Sequence, residues 1–196
     1  MKKFIFIPDS FKGSLSSARA CQLMQQAVEK ECPGADCISI PVADGGEGTV
    51  DAFLAAVGGQ KMPMEVTGPW GEKMQAYWGL LSEKTGVVEM AAAAGLPLVG
   101  DQKNPEKTTT YGVGEMIADA LDHGVTEIIL GLGGSATNDG GCGAAAAVVC
   151  TRCTVSRQLT GSRSAAAHSS TLRARHKRYI LPPPPSVSFA ILCAAP

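Results

Sequence analysis

Four consecutive apolar residues, Phe4-Ile5-Phe6-Ile7, stand directly before Pro8-Asp9-Ser10. Alternation is missing, so a strand here is suited to burial on both faces, and such strands belong to parallel sheets layered by helices. The chain then supplies a helix, because Ser16 or Ser17 can cap the helical pattern over residues 18–30. A second strand-like run, Cys37-Ile38-Ser39-Ile40-Pro41-Val42-Ala43, is ended by Asp44-Gly45-Gly46-Glu47-Gly48-Thr49, after which residues 50–56 predict another helix. Strand, helix, strand and helix imply a βαβ unit with parallel strands, and ligands bind such sheets at the carboxyl ends of the strands.

The texture changes near residue 60. Runs at 62–67 and 75–81 flank Gly68-Pro69-Trp70-Gly71, and 86–90 adds a third short run, which together predict a local antiparallel element. Helix returns at 112–123, then the strand Glu127-Ile128-Ile129-Leu130, the glycine-rich loop 131–141 and an alanine run at 144–147. The fold class is therefore α/β: residues 1–60 begin a parallel-sheet unit, and 61–150 form a second, mixed α/β unit.

Beyond about Thr151 the periodicity stops. Residues 1–150 carry ten Lys or Arg and all eighteen Asp and Glu, a balance of −8, whereas 151–196 hold seven Lys or Arg and no acid. Ser, Arg, Ala and Pro dominate there, and Pro182 to Pro185 forbid helix and central strand. The segment 151–196 reads as a low-complexity basic tail, disordered or written in a shifted reading frame, and its closing apolar run 187–193 has no partner in view.

Composition excludes several classes. With 45% hydrophobic and 18% charged residues over 196 positions, the chain can bury a real core. It has no uninterrupted apolar run of about eighteen residues, and its first run breaks after four, as a strand does and a signal peptide does not. Seven cysteines, an odd number without a secretion signal, read as reduced thiols, which points to the cytoplasm. An acidic body gives no reason to expect nucleic acid or a membrane as partner. Cys150-x-x-Cys153 lacks the second pair of a zinc site, and His123, His168 and His176 lie outside every glycine-rich loop.

Three loops carry chemistry. In Pro8-Asp9-Ser10-Phe11-Lys12-Gly13-Ser14, hydroxyls, backbone N–H groups and one ammonium can converge on an anion at a helix start, although the spacing is not that of a P-loop. Asp44-Gly45-Gly46-Glu47-Gly48-Thr49 places two acids in a loop whose glycines let the backbone approach a ligand, so it can hold Mg²⁺ through water, take a substrate proton or orient a hydroxyl. In the loop 131–141, Ser135, Thr137, Asn138 and successive glycine N–H groups form a possible anion nest, with Asp139 a reserve acid. An ordinary turn is the bland alternative for each. Thr108-Thr109-Thr110 is suited to a helix cap or to hydrogen-bonding a carboxylate.

Taken together and in order, these loops resemble those of the class I glycerate kinases, as do Glu89-Met90-Ala91 with Gly95-Leu96 and Thr110-Tyr111-Gly112-x-Gly114-Glu115. The similarity covers roughly residues 1–149. It implies a Rossmann-like first domain and a second mixed α/β domain, both incomplete here, with ATP and Mg²⁺ used to phosphorylate D-glycerate to 2-phosphoglycerate. Lys12 and Asp44 are then the candidate catalytic residues. Ser10, Ser14, Glu47, Ser135, Thr137, Asn138 and Asp139 are the candidates for substrate or phosphate. Two alternatives stand beside this: an inactive truncated or frame-shifted fragment, and a dinucleotide-dependent oxidoreductase suggested by Gly131-x-Gly133.

Overall fold

The computed structural model describes residues 2–11, 13–159 and 187–192. Two sheets organise them, one of two strands and one of five. In the first, β1 (Lys3–Phe6) and β2 (Asp36–Ser39) run parallel, from Lys3 opposite Asp36 to Phe6 opposite Ser39. The connecting helix α1 (Ser17–Glu31) starts where Ser16 Oγ accepts the Arg19 N–H at 3.2 Å, so of the two possible caps the chain uses Ser16. Ser17 is buried and does something else: its hydroxyl donates to Pro8 O at 2.7 Å and accepts the Val42 N–H at 3.0 Å, tying together the loops that leave both strands.

Burial of β1 on both faces is not what the structure has. Ile5 and Ile7 are 55% and 56% exposed, and Ile38 and Ile40 beside them are 37% and 42% exposed. A sheet of two strands with one helix leaves a face uncovered among the described residues.

The second sheet has the order β3-β4-β5-β6-β7. A long antiparallel hairpin joins β3 (Gln60–Thr67) to β4 (Lys73–Leu80) across the Gly-Pro-Trp-Gly turn, as the sequence predicts. β4 meets β5 (Thr85–Glu89) antiparallel over two residue pairs, and β5 then runs parallel to β6 (Glu127–Gly131). Two short helices, α3 (Ala91–Ala94) and α4 (Leu96–Val99), and the longer α5 (Tyr111–Asp122) make the crossover between them. Helix α2 (Thr49–Val57), which the sequence groups with the first unit, leans instead on β4 and β5 with Val50 fully buried.

The core lies between this sheet and α5. Val66, Trp78, Val88, Val113, Met116 and Ile128 are all at most 1% exposed. Trp78, the largest of them, satisfies its indole N–H on Asp119 Oδ2 at 2.8 Å, which permits its complete burial.

Two features depart from the sequence reading. Helix α6 (Cys142–Leu159) continues past Thr151, where periodicity suggests an end, and packs its first turns on α5. Residues Ser188–Leu192 form β7, a fifth strand parallel to β6, so the closing apolar run does find a partner. The open edge of β6 and the β-prone Phe189-Ala190-Ile191-Leu192 explain the pairing. Residues 160–186, which carry most of the expected basic tail, lie outside the described residues. Among those described, no helix is long and apolar enough to cross a membrane.

Candidate functional site

The first two loops meet at a hollow of about 270 Å³ lined by Ser10, Phe11, Gly13, Ser14, Ser16, Glu47 and Gly48. A smaller one of about 130 Å³ continues beneath it, bounded by Ser10, Ser17, Pro41, Glu47 and Asp51. The starts of α1 and α2 both face this region, so two helix amino termini bring positive potential to a wall that also carries Glu47 and Asp51. The first loop is turned tightly: Phe11 N–H donates to Leu15 O at 2.8 Å, and Leu15 N–H returns to Phe11 O at 3.0 Å. Ser10 N–H is held by Asp9 Oδ1 at 2.6 Å. Lys12 lies outside the described residues.

The second loop is a shared wall. Its Glu47 and Gly48 line the hollow, while Gly45 and Gly46 press on the third loop, where Gly133 N–H donates to Gly45 O at 2.8 Å. A Cβ on Gly133 would stand 2.6 Å from Gly46 N, so glycine is required for the two backbones to touch. Asp44 Oδ1 accepts the Gly46 N–H at 3.0 Å and shapes the bend.

Gly48 opens α2 in a left-handed conformation, φ 86°, and brings no side chain to cap it. The cap comes from the end of β5: Glu89 Oε2 accepts Val50 N–H at 2.9 Å, and Oε1 lies 3.4 Å from Gly48 N. Glu89 is 5% exposed and is the one charged side chain that is buried among the described residues. Burial pushes its carboxyl up from the ordinary glutamate value; the two N–H groups oppose this, and Asp51 and Glu47 add to it.

The third loop leaves β6 and is fastened on every side. Ser135 Oγ donates to Thr137 O at 3.2 Å, Thr137 Oγ1 donates to Thr108 O at 2.7 Å, and Asn138 N–H donates to Pro105 O at 2.9 Å. Asp139 accepts from five donors: Thr110 N–H at 2.8 Å, the Thr110 and Thr109 hydroxyls, Gly141 N–H at 2.9 Å and Gly143 N–H at 3.1 Å. Partial burial works against its charge, but the hydrogen bonds from Thr110, Gly141 and Gly143 prevail and hold the carboxyl below the ordinary aspartate value. Thr110 Oγ1 also accepts Ala144 N–H at 2.9 Å, so the pair stitches the starts of α5 and α6 together.

The structure thus gathers Ser10, Ser14 and Glu47 at one hollow; Asp44 is not among its lining residues and shapes the bend of the second loop, which meets the third loop at Gly45. Residues 4–179 match the model of the glycerate kinase family. The chain belongs to the glycerate kinase family. It is 50% identical over 143 residues to glycerate 2-kinase of Escherichia coli (strain K12), covering 72% of this chain and 38% of that one. With glycerate kinase of Bacillus subtilis (strain 168) it shares 50% over 143 residues, 72% of this chain and 37% of the other. A solved structure described as a glycerate kinase 2 from Salmonella typhimurium LT2 superposes with TM-score 0.61 at 46% identity, over 74% of this chain and 40% of its own. The chain therefore spans well under half the length of these relatives. The family match runs past Val149, where the sequence patterns end. Membership leaves the oxidoreductase alternative without support.

Within the family framework, two residues emerge that the loops alone do not single out. Glu89 appears in the sequence only as part of a motif, because its partners Gly48 and Val50 lie 41 and 39 positions away. Thr110 does hydrogen-bond a carboxylate, as a threonine there can, but the carboxylate is the chain's own Asp139.

Proposed function

We propose that this chain serves the ATP-dependent phosphorylation of D-glycerate to 2-phosphoglycerate. The observation that carries it is the convergence of the three loops at the carboxyl ends of parallel strands from both sheets, joined through Gly45 and Gly133. Family membership and the 50% identity to glycerate 2-kinase of E. coli support the same chemistry.

Phosphoryl transfer asks a protein for positioning and charge neutralisation more than for covalent chemistry. The hollow between α1 and α2 suits a small hydroxy acid: Ser10, Ser14 and the α1 amino terminus face its carboxylate or phosphate, and Asp44 receives or orients its hydroxyl proton. Lys12 supplies the cation of the first loop. On the third loop, Asn138 and the glycine N–H groups face the nucleotide phosphates, while Ser135 and Thr137 shape the loop and Asp139 anchors it.

Mg²⁺ fits this donor set in one manner only. No three His, Cys, Asp or Glu residues cluster as a metal cage among the described residues, but Asp44 and Glu47 offer hard oxygen donors of the sort that share Mg²⁺ with phosphates. When bound, the ion supplies neutralisation of phosphate charge. Cys21, Cys32, Cys37, Cys142 and Cys150 are free thiols, which supports the cytoplasm as the place of action.

ADP release coupled to D-glycerate, with the product identified by ³¹P NMR, tests the proposal. Formation of 2-phosphoglycerate supports it, and a different phosphorylated carbon refutes it. The chain's share of its relatives' length favours a second reading, that it holds only part of the cleft. That reading requires D-glycerate binding by calorimetry without turnover.

A further inference from the structure

Glu89 is set apart from every other acid described here. It is buried, it ends the strand β5 and it reaches across to a helix that belongs to a different stretch of chain. Its register partner on β6 is Gly131, and the next residue, Met90, donates its N–H to Gly131 O at 2.8 Å. One residue further along that neighbouring chain, Leu132 begins the third loop, and Gly133 is bonded to Gly45. The end of β5 is therefore the point at which both the second and the third loops are referenced to one rigid sheet.

Helix α2 has no cap of its own, since Gly48 has no side chain and Thr49 Oγ1 turns back to Gly46 O at 2.7 Å. Without Glu89, Val50 N–H would be buried with no acceptor, and an unpaired buried donor is costly. Glu47 and Asp51 stand close enough to raise the cost of the Glu89 charge, so a neutral side chain would suit helix packing better on electrostatic grounds alone. What Glu89 brings is two oxygens in fixed places, one 2.9 Å from Val50 N and the other 3.4 Å from Gly48 N.

We propose that Glu89 is a positioning residue that sets the Asp44–Gly48 bend for phosphoryl transfer, by capping α2 from the end of β5. It touches neither substrate nor nucleotide; it acts through Gly48 and Val50 on where Asp44 and Glu47 stand. The proposal rests on the kinase reading above for its functional half, whereas its structural half can be read without turnover.

The test compares the full chain with Glu89→Gln and Glu89→Ala in amide hydrogen exchange by NMR and in D-glycerate-dependent ADP release. Gln keeps one acceptor oxygen and Ala none, so exchange at Val50 should rise in the order wild type, Gln, Ala, by roughly tenfold or more at the Ala step. Buried amides elsewhere in the core, Val113 on α5 and Ile128 on β6, should stay within about twofold in Glu89→Gln. The Asp44–Gly48 amide resonances should shift in the same order, and kcat should fall by roughly tenfold while KM for ATP changes little. Unchanged Val50 exchange, or a uniform rise across the core, overturns the capping role. Graded exchange with unchanged kcat overturns the positioning role. Absence of turnover in the wild type refutes the kinase reading instead, and the exchange order and loop shifts then still decide whether Glu89 holds the bend.

Discussion

Asp139 accepts both the backbone N–H and the hydroxyl of Thr110, at 2.8 and 2.9 Å, and so fastens the third glycine-rich loop to the start of the helix that covers the second sheet. A residue that the sequence offers as a reserve acid is thus occupied as a double helix cap. Asp139→Ala should destabilise the chain by about 1–3 kcal/mol, the range for a lost cap with charge-assisted bonds, as measured by urea unfolding. A cost below about 0.5 kcal/mol would mean that the loop does not depend on the carboxylate.

The two capping carboxyls should give opposite pH dependences. Asp139 is depressed in the fold, so its contribution is present above the ordinary aspartate value and is lost as pH falls through its lower folded value. Glu89 is raised, so its contribution is present below the ordinary glutamate value and is lost as pH rises through its higher folded value. Unfolding free energy followed against pH should therefore lose its lowest acid slope in Asp139→Asn. In Glu89→Gln, stability should decline less than in wild type as pH rises through the window just above the ordinary glutamate range.

Two glycines that look alike in the sequence should respond differently to a methyl group. At Gly133 the added Cβ meets Gly46 N at 2.6 Å, so Gly133→Ala must separate the second and third loops. At Gly48 nothing lies within 4 Å, and only the left-handed φ of 86° opposes alanine. Gly48→Ala should cost about 1–2 kcal/mol, from strain alone. Gly133→Ala should cost about 1–3 kcal/mol and should also shift the NMR resonances of Gly45 and Gly46. Equal, local spectral changes in both variants would contradict the close approach.

Trp78 anchors the core and is fully buried with its indole N–H on Asp119. Trp78→Ala should cost about 3–5 kcal/mol. Trp78→Phe retains most of the apolar contact but removes the donor and some volume, and should cost less than Trp78→Ala in the same urea titration. If the two variants were equally destabilised, the hydrogen bond rather than the packing would hold the site.

Much of this could be read from the chain because it is local. The apolar run at Phe4 and the caps at Ser16 or Ser17 mark strand and helix within a few residues of one another, and the three loops declare themselves by glycine and hydroxyl density. What escaped is long-range. Nothing adjacent to Glu89 indicates that it will cap a helix some forty residues earlier, and Asp139 lies 29 positions from the threonine that engages it. The exposure of Ile5 and Ile7 was also hidden, because an apolar run shows that a strand can be covered on both faces and not that a covering layer is at hand. Pairing of Ser188–Leu192 with β6 depends on an open sheet edge, which no window of sequence displays.

D-glycerate-dependent ADP formation, measured with the wild-type chain and with Lys12→Ala and Asp44→Asn, tests phosphoryl transfer at these loops most directly. A charge-assisted contact at the reacting centre corresponds to about a 10- to 150-fold effect, so Lys12→Ala should lower kcat/KM by that factor with little change in stability. Asp44→Asn should lower kcat at least about tenfold. The expected result is glycerate-dependent ADP release yielding 2-phosphoglycerate, impaired by both substitutions. ADP release that ignores D-glycerate, or that is unchanged in both variants, would contradict the placement of phosphoryl transfer at these loops.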